Sequence, residues 1–276
     1  MTSIPLVQLN DGRQIPQLGL GTWRTPDAEA AALVETALGL GYRHIDTAAI
    51  YGNEAGVGQG LAGSGVPREQ LFVTTKLWND RQGYDSALAA FDESLERLKL
   101  DYVDLYLIHW PCPDKGLFLD SWKALLRLRE EGRVKSVGVS NFRPDDIEAL
   151  IMETGVVPAV NQIEVHPWLQ QAALREFGVY KGIATEAWSP LAQGGELLAD
   201  PRVQQLAAKH GKSPAQVILR WHIQLGSIVF PKSATPKRIE ENAQIFDFQL
   251  DEADMQAIAG LDRQHRLGPD PDTFNG

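Results

Sequence analysis

Short apolar, β-branched runs alternate along this chain with longer segments whose apolar residues recur every three or four positions. The runs are QLGLGT, RHIDTA, LFVTTKL, VDLYLIHW, SVGVS, AVNQIEV, IATEAW and SIVFPK. The periodic segments DAEAAALVETALGLG, YDSALAAFDESLERLK, DSWKALLRLREEG, PDDIEALIME and DPRVQQLAAKHG read as amphipathic helices, several closed by glycine. Strands alternating with helices predict parallel βαβ units, and eight such units predict a closed α/β barrel, the (β/α)8 TIM barrel. Ahead of the first run, LVQL and RQIPQL flank Asn10-Asp11-Gly12, the turn chemistry of an N-terminal β-hairpin. Past the seventh run, two helical segments, DPRVQQLAAKHG and SPAQVILRWHIQLG, precede the eighth, and DEADMQAIAGLD follows it. These are extra helices near the C-terminus, and the final RQHRLGPDPDTFNG reads as irregular and short. No Ser- or Gly-rich linker interrupts the pattern, so residues 1–276 are expected to form a single domain.

Composition narrows the possible partners. The formal net charge of -10 argues against a nucleic-acid ligand, whose phosphates call for a basic face. The one cysteine, Cys112, excludes an intramolecular disulfide and a thiolate metal cluster. The stretch MTSIPLVQLNDGRQ lacks the basic start and apolar run of a signal peptide. No apolar run approaches the ~18 residues needed to span a membrane. A cytoplasmic protein without membrane or nucleic-acid partners is expected. Nothing marks an obligate interface, so a monomer is expected as well.

Chemistry in such barrels sits at the C-terminal ends of the strands. The second run ends with Asp46, the third with Lys76, and the fourth with His109 and Trp110. The fifth ends with Ser140 and Asn141, and the sixth carries Gln162, Glu164 and His166. The seventh closes on Trp188 and Ser189, the eighth on Lys232 and Ser233. Any one polar strand end needs no special account. A set of Asp, Lys, His and Tyr on one rim does, because a buried lone Lys or Asp is costly unless paired. Tyr51 follows Asp46 in GYRHIDTAAIYGNE. A phenol titrates near 10, too high for easy acid–base work, and a nearby ammonium makes it a better donor. Lys76 can be that ammonium, and Asp46 the carboxylate that keeps it charged. His109 then offers a directional hydrogen bond. The set suits a reaction in which a carbonyl oxygen is protonated while its carbon is attacked.

The motifs GYRHIDTAAIYGNE, TTKLWN, DYVDLYLIHWP, SVGVSNF, VNQIEVHPW and FPKSATPKRIEEN, in this order, resemble those of the aldo-keto reductase superfamily. The likeness runs nearly end to end and is strongest to the short bacterial members typified by 2,5-diketo-D-gluconate reductase. It implies Tyr51 as proton donor, with Asp46, Lys76 and His109 completing a catalytic tetrad. It also implies NADPH extended across the barrel mouth. Ser140, Asn141 and Gln162 would hold the nicotinamide carboxamide and Trp188 would stack on the ring, with Gly21, Thr22, Asp46 and Phe230 close by. Ser189, Leu191, Gln193 and Gly194, within AWSPLAQGG, would wrap the pyrophosphate. Lys232, Ser233 and Arg238 would grip the 2′-phosphate, with Glu241 and Asn242 near the adenine.

The residues speak to the last point on their own. Thr235 and Pro236 make a good cap and first position for a helix, and a helix start after the eighth strand is a ready anion site. Lys232, Lys237 and Arg238 cluster there in an acidic chain, although a solvated basic helix start has the same composition. Gly19 and Gly21 begin a G-x-G, but Arg24 stands where a Rossmann fingerprint needs its third glycine. Gly56, Gly58 and Gly60 fall in a helix. No catalytic metal is expected, because Lys76 on the same rim would repel a cation. His44 reads as a hydrogen-bonded core histidine and His166 as a supporting residue. Trp23, Trp78 and Trp110 follow strands one, three and four and read, with Tyr51 and His109, as the walls of a substrate pocket. The resemblance thus implies an NADPH-dependent reductase of aldehydes and ketones; the loop Trp110 to Phe118 and the tail are both short, so the mouth is expected to be open and the substrates small and polar. The rival readings are a non-catalytic NADPH-binding member of the same fold and a metal-dependent barrel hydrolase.

Overall fold

The computed structural model describes residues 4–276. Strands β1 (Leu6–Gln8) and β2 (Gln14–Pro16) pair antiparallel with Val7 opposite Ile15. Gly12 closes their turn at φ 85, a conformation that L side chains resist. Eight parallel strands follow: β3 (Leu20–Gly21), β4 (His44–Asp46), β5 (Phe72–Leu77), β6 (Val103–Ile108), β7 (Val134–Ser140), β8 (Val160–Glu164), β9 (Ala184–Trp188) and β10 (Ile228–Val229). Each neighbour in the sheet is the neighbour in sequence, from β3 round to β10. Leu18 bridges Val229 across the remaining seam, where Gly19 N donates to Val229 O at 2.8 Å and Val229 N to Gln17 O at 3.0 Å. The (β/α)8 barrel expected from the alternation is the architecture.

Alternation along the strands sorts the core. In β6, Leu105 and Leu107 point inward, while Tyr106 and Ile108 join the large apolar layer under the helices. The inward pair meets Phe72, Val160, Ile228 and two hairpin residues, Leu9 and Ile15. Asn10 and Arg13 bond the carbonyls of Pro158 and Lys135, just before β8 and within the start of β7. The hairpin is therefore the floor of the barrel, and the strand C-termini form its mouth.

The helices expected from the periodicity lie at Asp27–Gly39, Tyr84–Leu98, Phe118–Glu130, Pro144–Thr154, Pro201–His210, Pro214–Gln224 and Glu252–Ala259. The pattern passes over Ala172–Lys181. That helix starts from Gln171 at φ 44 with no side-chain cap, buries only Gly178, and exposes Val179 and Tyr180 by 79% and 82%, so its apolar stripe is scrambled. Gly56, Gly58 and Gly60 do lie in a helix, Glu54–Gly63. A Cβ on them would stand 2.2 Å from Asp27 O, 2.2 Å from Leu98 O and 2.6 Å from Ala31 O. These glycines let elements approach closely. No helix of the described residues is long and apolar enough to cross a membrane.

Two core histidines set an acid limit. His44 Nε2 faces Thr74 Oγ1 at 3.3 Å and His222 Nε2 faces Pro190 O at 3.0 Å. Burial lowers each to about 3. Below the unfolded value of about 6.5 the unfolded chain takes up protons that the folded chain refuses. Each histidine should therefore remove ~1.4 kcal/mol of stability per pH unit from about 6.5 downward. Thermal melts between neutrality and mild acid should show a steep fall, made shallower by His222→Gln, which can still donate to Pro190. An unchanged slope in that variant would mean that His222 is not the buried neutral base described.

Candidate active site

The C-terminal ends of β4 and β5 deliver Asp46 and Lys76, 1% and 0% exposed. Lys76 Nζ donates to Asp46 Oδ1 at 2.6 Å and to Thr47 O at 2.9 Å. Burial opposes its charge, but Asp46 beside it holds it above the usual lysine range. Two of its three hydrogens are committed, and Nζ stands 5.2 Å from the centre of the Tyr51 ring. Tyr51 ends a short 3-10 turn, Ala49–Tyr51, after β4. Burial raises its hydroxyl above the ordinary phenol range; Lys76 pulls it down and Asp46 pushes it up. The ammonium acts as the sequence reading anticipates, yet burial outweighs it, so the hydroxyl keeps its proton throughout the neutral range.

His109, just beyond β6, packs edge-on against Tyr51 and Trp78, with centroids at 5.9 and 5.1 Å. Burial, then the charge of Lys76, holds it well below the ordinary histidine range, so its ring is neutral. Its Nδ1 is buried without a hydrogen-bond partner among the described residues.

A layer of amides borders this tetrad. Gln162 Nε2 donates to Asp46 Oδ2 at 2.9 Å and to Glu186 Oε2 at 2.7 Å. Ser140 Oγ donates to Gln162 O at 2.7 Å. Asn141, at φ 63, donates to His109 O and Ser140 Oγ and accepts from Trp188 Nε1 at 2.9 Å. Asparagine tolerates that left-handed backbone better than most side chains. Thr22 Oγ1 donates to Asp46 O, and a Cβ on Gly21 would meet Phe230 O at 2.5 Å, so β3 and β10 converge beside the tetrad.

Beyond Trp188 the loop is strained. Ser189, Ala192 and Gln193 take φ 50, 47 and 61, followed by Gly194 and Gly195 at 81 and 59. Left-handed backbone costs ordinary residues about 1–2 kcal/mol each, and such strain gathers at ligand clamps. Leu191 is half-buried here. After β10, Thr235 precedes helix Pro236–Ala243 as expected, but its side chain makes no cap bond; its N–H instead donates to Ser233 Oγ. The uncapped helix start is flanked by exposed Lys232, Lys237 and Arg238, with Glu241 and buried Asn242 one turn on.

The tail is short and without regular structure, as expected, but it is pinned across the mouth. Leu267 N and Gly268 N donate to the buried Glu164 carboxylate at 2.7 and 3.0 Å. His166 Nε2 bonds the same carboxylate at 2.8 Å. Gly268 lies so flat on Trp188 that a Cβ would stand 2.4 Å from Trp188 Cη2. Asp272 pairs with Arg143, Phe274 packs on Trp110 at 4.6 Å, and Asn275 exchanges two hydrogen bonds with Asp114. Trp110 also meets Trp188 at 6.5 Å. Trp23 stands apart, 40% exposed with Arg24 over its ring.

The model of the aldo/keto reductase family matches residues 17–263. The chain belongs to this family. It is 59% identical over 271 residues to an aldo-keto reductase of Mycobacterium sp. (strain KMS), covering 98% of each chain. It is 50% identical over 277 residues to the methylglyoxal reductase DkgA of Salmonella typhimurium, covering 100% of each. Among solved structures, an aldo/keto reductase from Brucella melitensis superposes with a TM-score of 0.92 at 59% identity, over 95% of this chain and 99% of that one. A Gox0644 mutant in complex with NADPH superposes with a TM-score of 0.95 at 51% identity, over 99% of each. Membership places the chain among oxidoreductases.

Three contributors to this aldo/keto reductase site escape sequence reasoning. Asn53 accepts from Thr47 Oγ1 and donates to Thr22 O and Thr25 O, tying the loop that carries Tyr51 to the loop after β3. Glu186 lies inside the barrel beside Gln162, and Phe274 reaches the mouth from the tail. The sequence signal for Glu186 is a carboxylate inside a strand whose register neighbour, Gln162, is itself polar.

Proposed function

We propose that this chain is an NADPH-dependent reductase of small aldehydes and ketones, including α-dicarbonyls and keto sugars. The observation that carries this reading is the buried Asp46–Lys76 pair, aimed at Tyr51 and bordered by the neutral ring of His109. A methylglyoxal reductase among the relatives, and an NADPH complex among the similar structures, support it. Bound NADPH supplies a hydride to the carbonyl carbon. Tyr51 gives the carbonyl oxygen its proton. Lys76 stabilises the phenolate left behind, and Asp46 keeps Lys76 charged. His109, neutral, orients the carbonyl through a hydrogen bond, between walls built from Trp78 and Trp110, with Trp23 farther out.

The residues present suit the cofactor. Both hydrogens of the Gln162 amide are taken, which leaves an acceptor for a carboxamide N–H. Ser140 and Asn141 complete that end, and Trp188 offers a flat face. The strained stretch Ser189 to Gly194 serves the pyrophosphate, with Leu191 and Gln193 in it. Lys232, Ser233 and Arg238 surround the uncapped helix start that would take the 2′-phosphate, with Glu241 and Asn242 toward the adenine.

The first experiment is loss of NADPH absorbance with a panel of small carbonyls. Tight NADPH binding with no turnover of any of them would favour the non-catalytic reading instead. Arg238→Ala should weaken NADPH about tenfold, the worth of one charge-assisted hydrogen bond, and leave NADH unchanged. Equal losses for the two cofactors would remove Arg238 from the 2′-phosphate.

A further inference from the structure

Gln162 and Glu186 are direct neighbours in the register of β8 and β9, and both side chains are buried. Gln162 Nε2 carries only two hydrogens. One goes to Asp46 Oδ2 at 2.9 Å, the other to Glu186 Oε2 at 2.7 Å. Asp46 is held ionic by Lys76 at 2.6 Å and can only accept, so the amide nitrogen must face it. The amide oxygen then faces away from both carboxyl groups.

Glu186 has no cation of its own. Its Oε1 makes no hydrogen bond among the described residues. His44 Nε2 lies 3.9 Å from it, but burial keeps that ring neutral. The ionised groups acting on it are Asp46, which repels it, and Lys76, already paired with Asp46. Burial and Asp46 push Glu186 up to about 8, so near neutrality it is an uncharged acid. A buried carboxyl so poorly compensated calls for a reason. The tetrad does not supply one, since Glu186 bonds neither Lys76 nor Tyr51.

We propose that Glu186 is a positioning residue: with Asp46 it takes both hydrogens of Gln162, and so presents Gln162 Oε1 as an acceptor that selects the amino group of the nicotinamide carboxamide. This rests on the NADPH reading above. Without Glu186, one N–H of Gln162 is released and the amide can offer a donor to the pocket as readily as an acceptor. A cofactor whose ring substituent is a carbonyl without an amino group is then tolerated.

The test is calorimetric binding of NADP+ and of its 3-acetylpyridine analogue, which keeps the carbonyl and loses the amino group. Wild type and Glu186→Gln, whose amide oxygen can still accept from Gln162, should prefer NADP+ by about tenfold, one buried hydrogen bond. In Glu186→Leu that preference should largely vanish. If leucine does not fold, Glu186→Ser is still polar but too short to reach Gln162, and it should lose the preference in the same way. A purely structural role would weaken both ligands together and leave their ratio fixed, and that result overturns the proposal. So does a wild type with no preference between the two. Wild type that binds neither ligand overturns the NADPH reading itself, whereas unchanged preference in the leucine and serine variants overturns only the role of Glu186.

Discussion

Tyr51→Phe should lose carbonyl reduction by about 10²–10⁴-fold, the usual worth of a positioned general acid, while still binding NADPH. The substitution removes one hydroxyl and nothing else. The ring keeps its edge contact with His109 and its place near Lys76 Nζ. The loss should appear in kcat with methylglyoxal, beside an unchanged NADPH affinity. The hydroxyl lies above the ordinary phenol range because burial outweighs Lys76, so wild-type reduction should also hold steady across neutral pH and fail only in strong base. A Tyr51→Phe enzyme with wild-type kcat would assign the proton to another group.

Lys76→Met should be the most destabilising single change at the site. It strands Asp46, 1% exposed, with no cation to share its charge. Breaking a buried pair by removing one partner costs about 3–5 kcal/mol, far more than removing both. The double variant Asp46→Asn with Lys76→Met should therefore recover most of the stability in urea titrations and none of the turnover. A double variant no more stable than the single one would mean that the pair is not the isolated ionic unit described here.

The barrel was legible because strand period and helix period differ, and the site because polar residues gather toward the C-terminal ends of the apolar runs. Those ends named Asp46, Lys76, His109, Asn141 and Gln162 before any geometry was available. What stayed hidden depends on neighbours across the sheet or far along the chain. Glu186, between alanine and threonine, looks like an ordinary outward strand position until register sets it against Gln162. Asn53 precedes a helix and suggests a cap, yet its side chain makes no cap bond and turns to two loops instead. Helix Ala172–Lys181 buries too little to show a stripe. The tail carries no periodicity because it is held by donors and acceptors on other elements, chiefly Glu164.

That fastening divides the molecule's labour. Asp46 and Lys76 grow from strands β4 and β5, whose other side chains fill the core, so neither can change alone without cost to the fold. The wall over the mouth, from Leu267 to Asn275, hangs from one carboxylate and a few loop contacts. Mutation can rewrite it residue by residue while the machinery beneath stays intact. On the proposed reductase reading, substrate range can drift quickly in such a chain while its chemistry stays fixed.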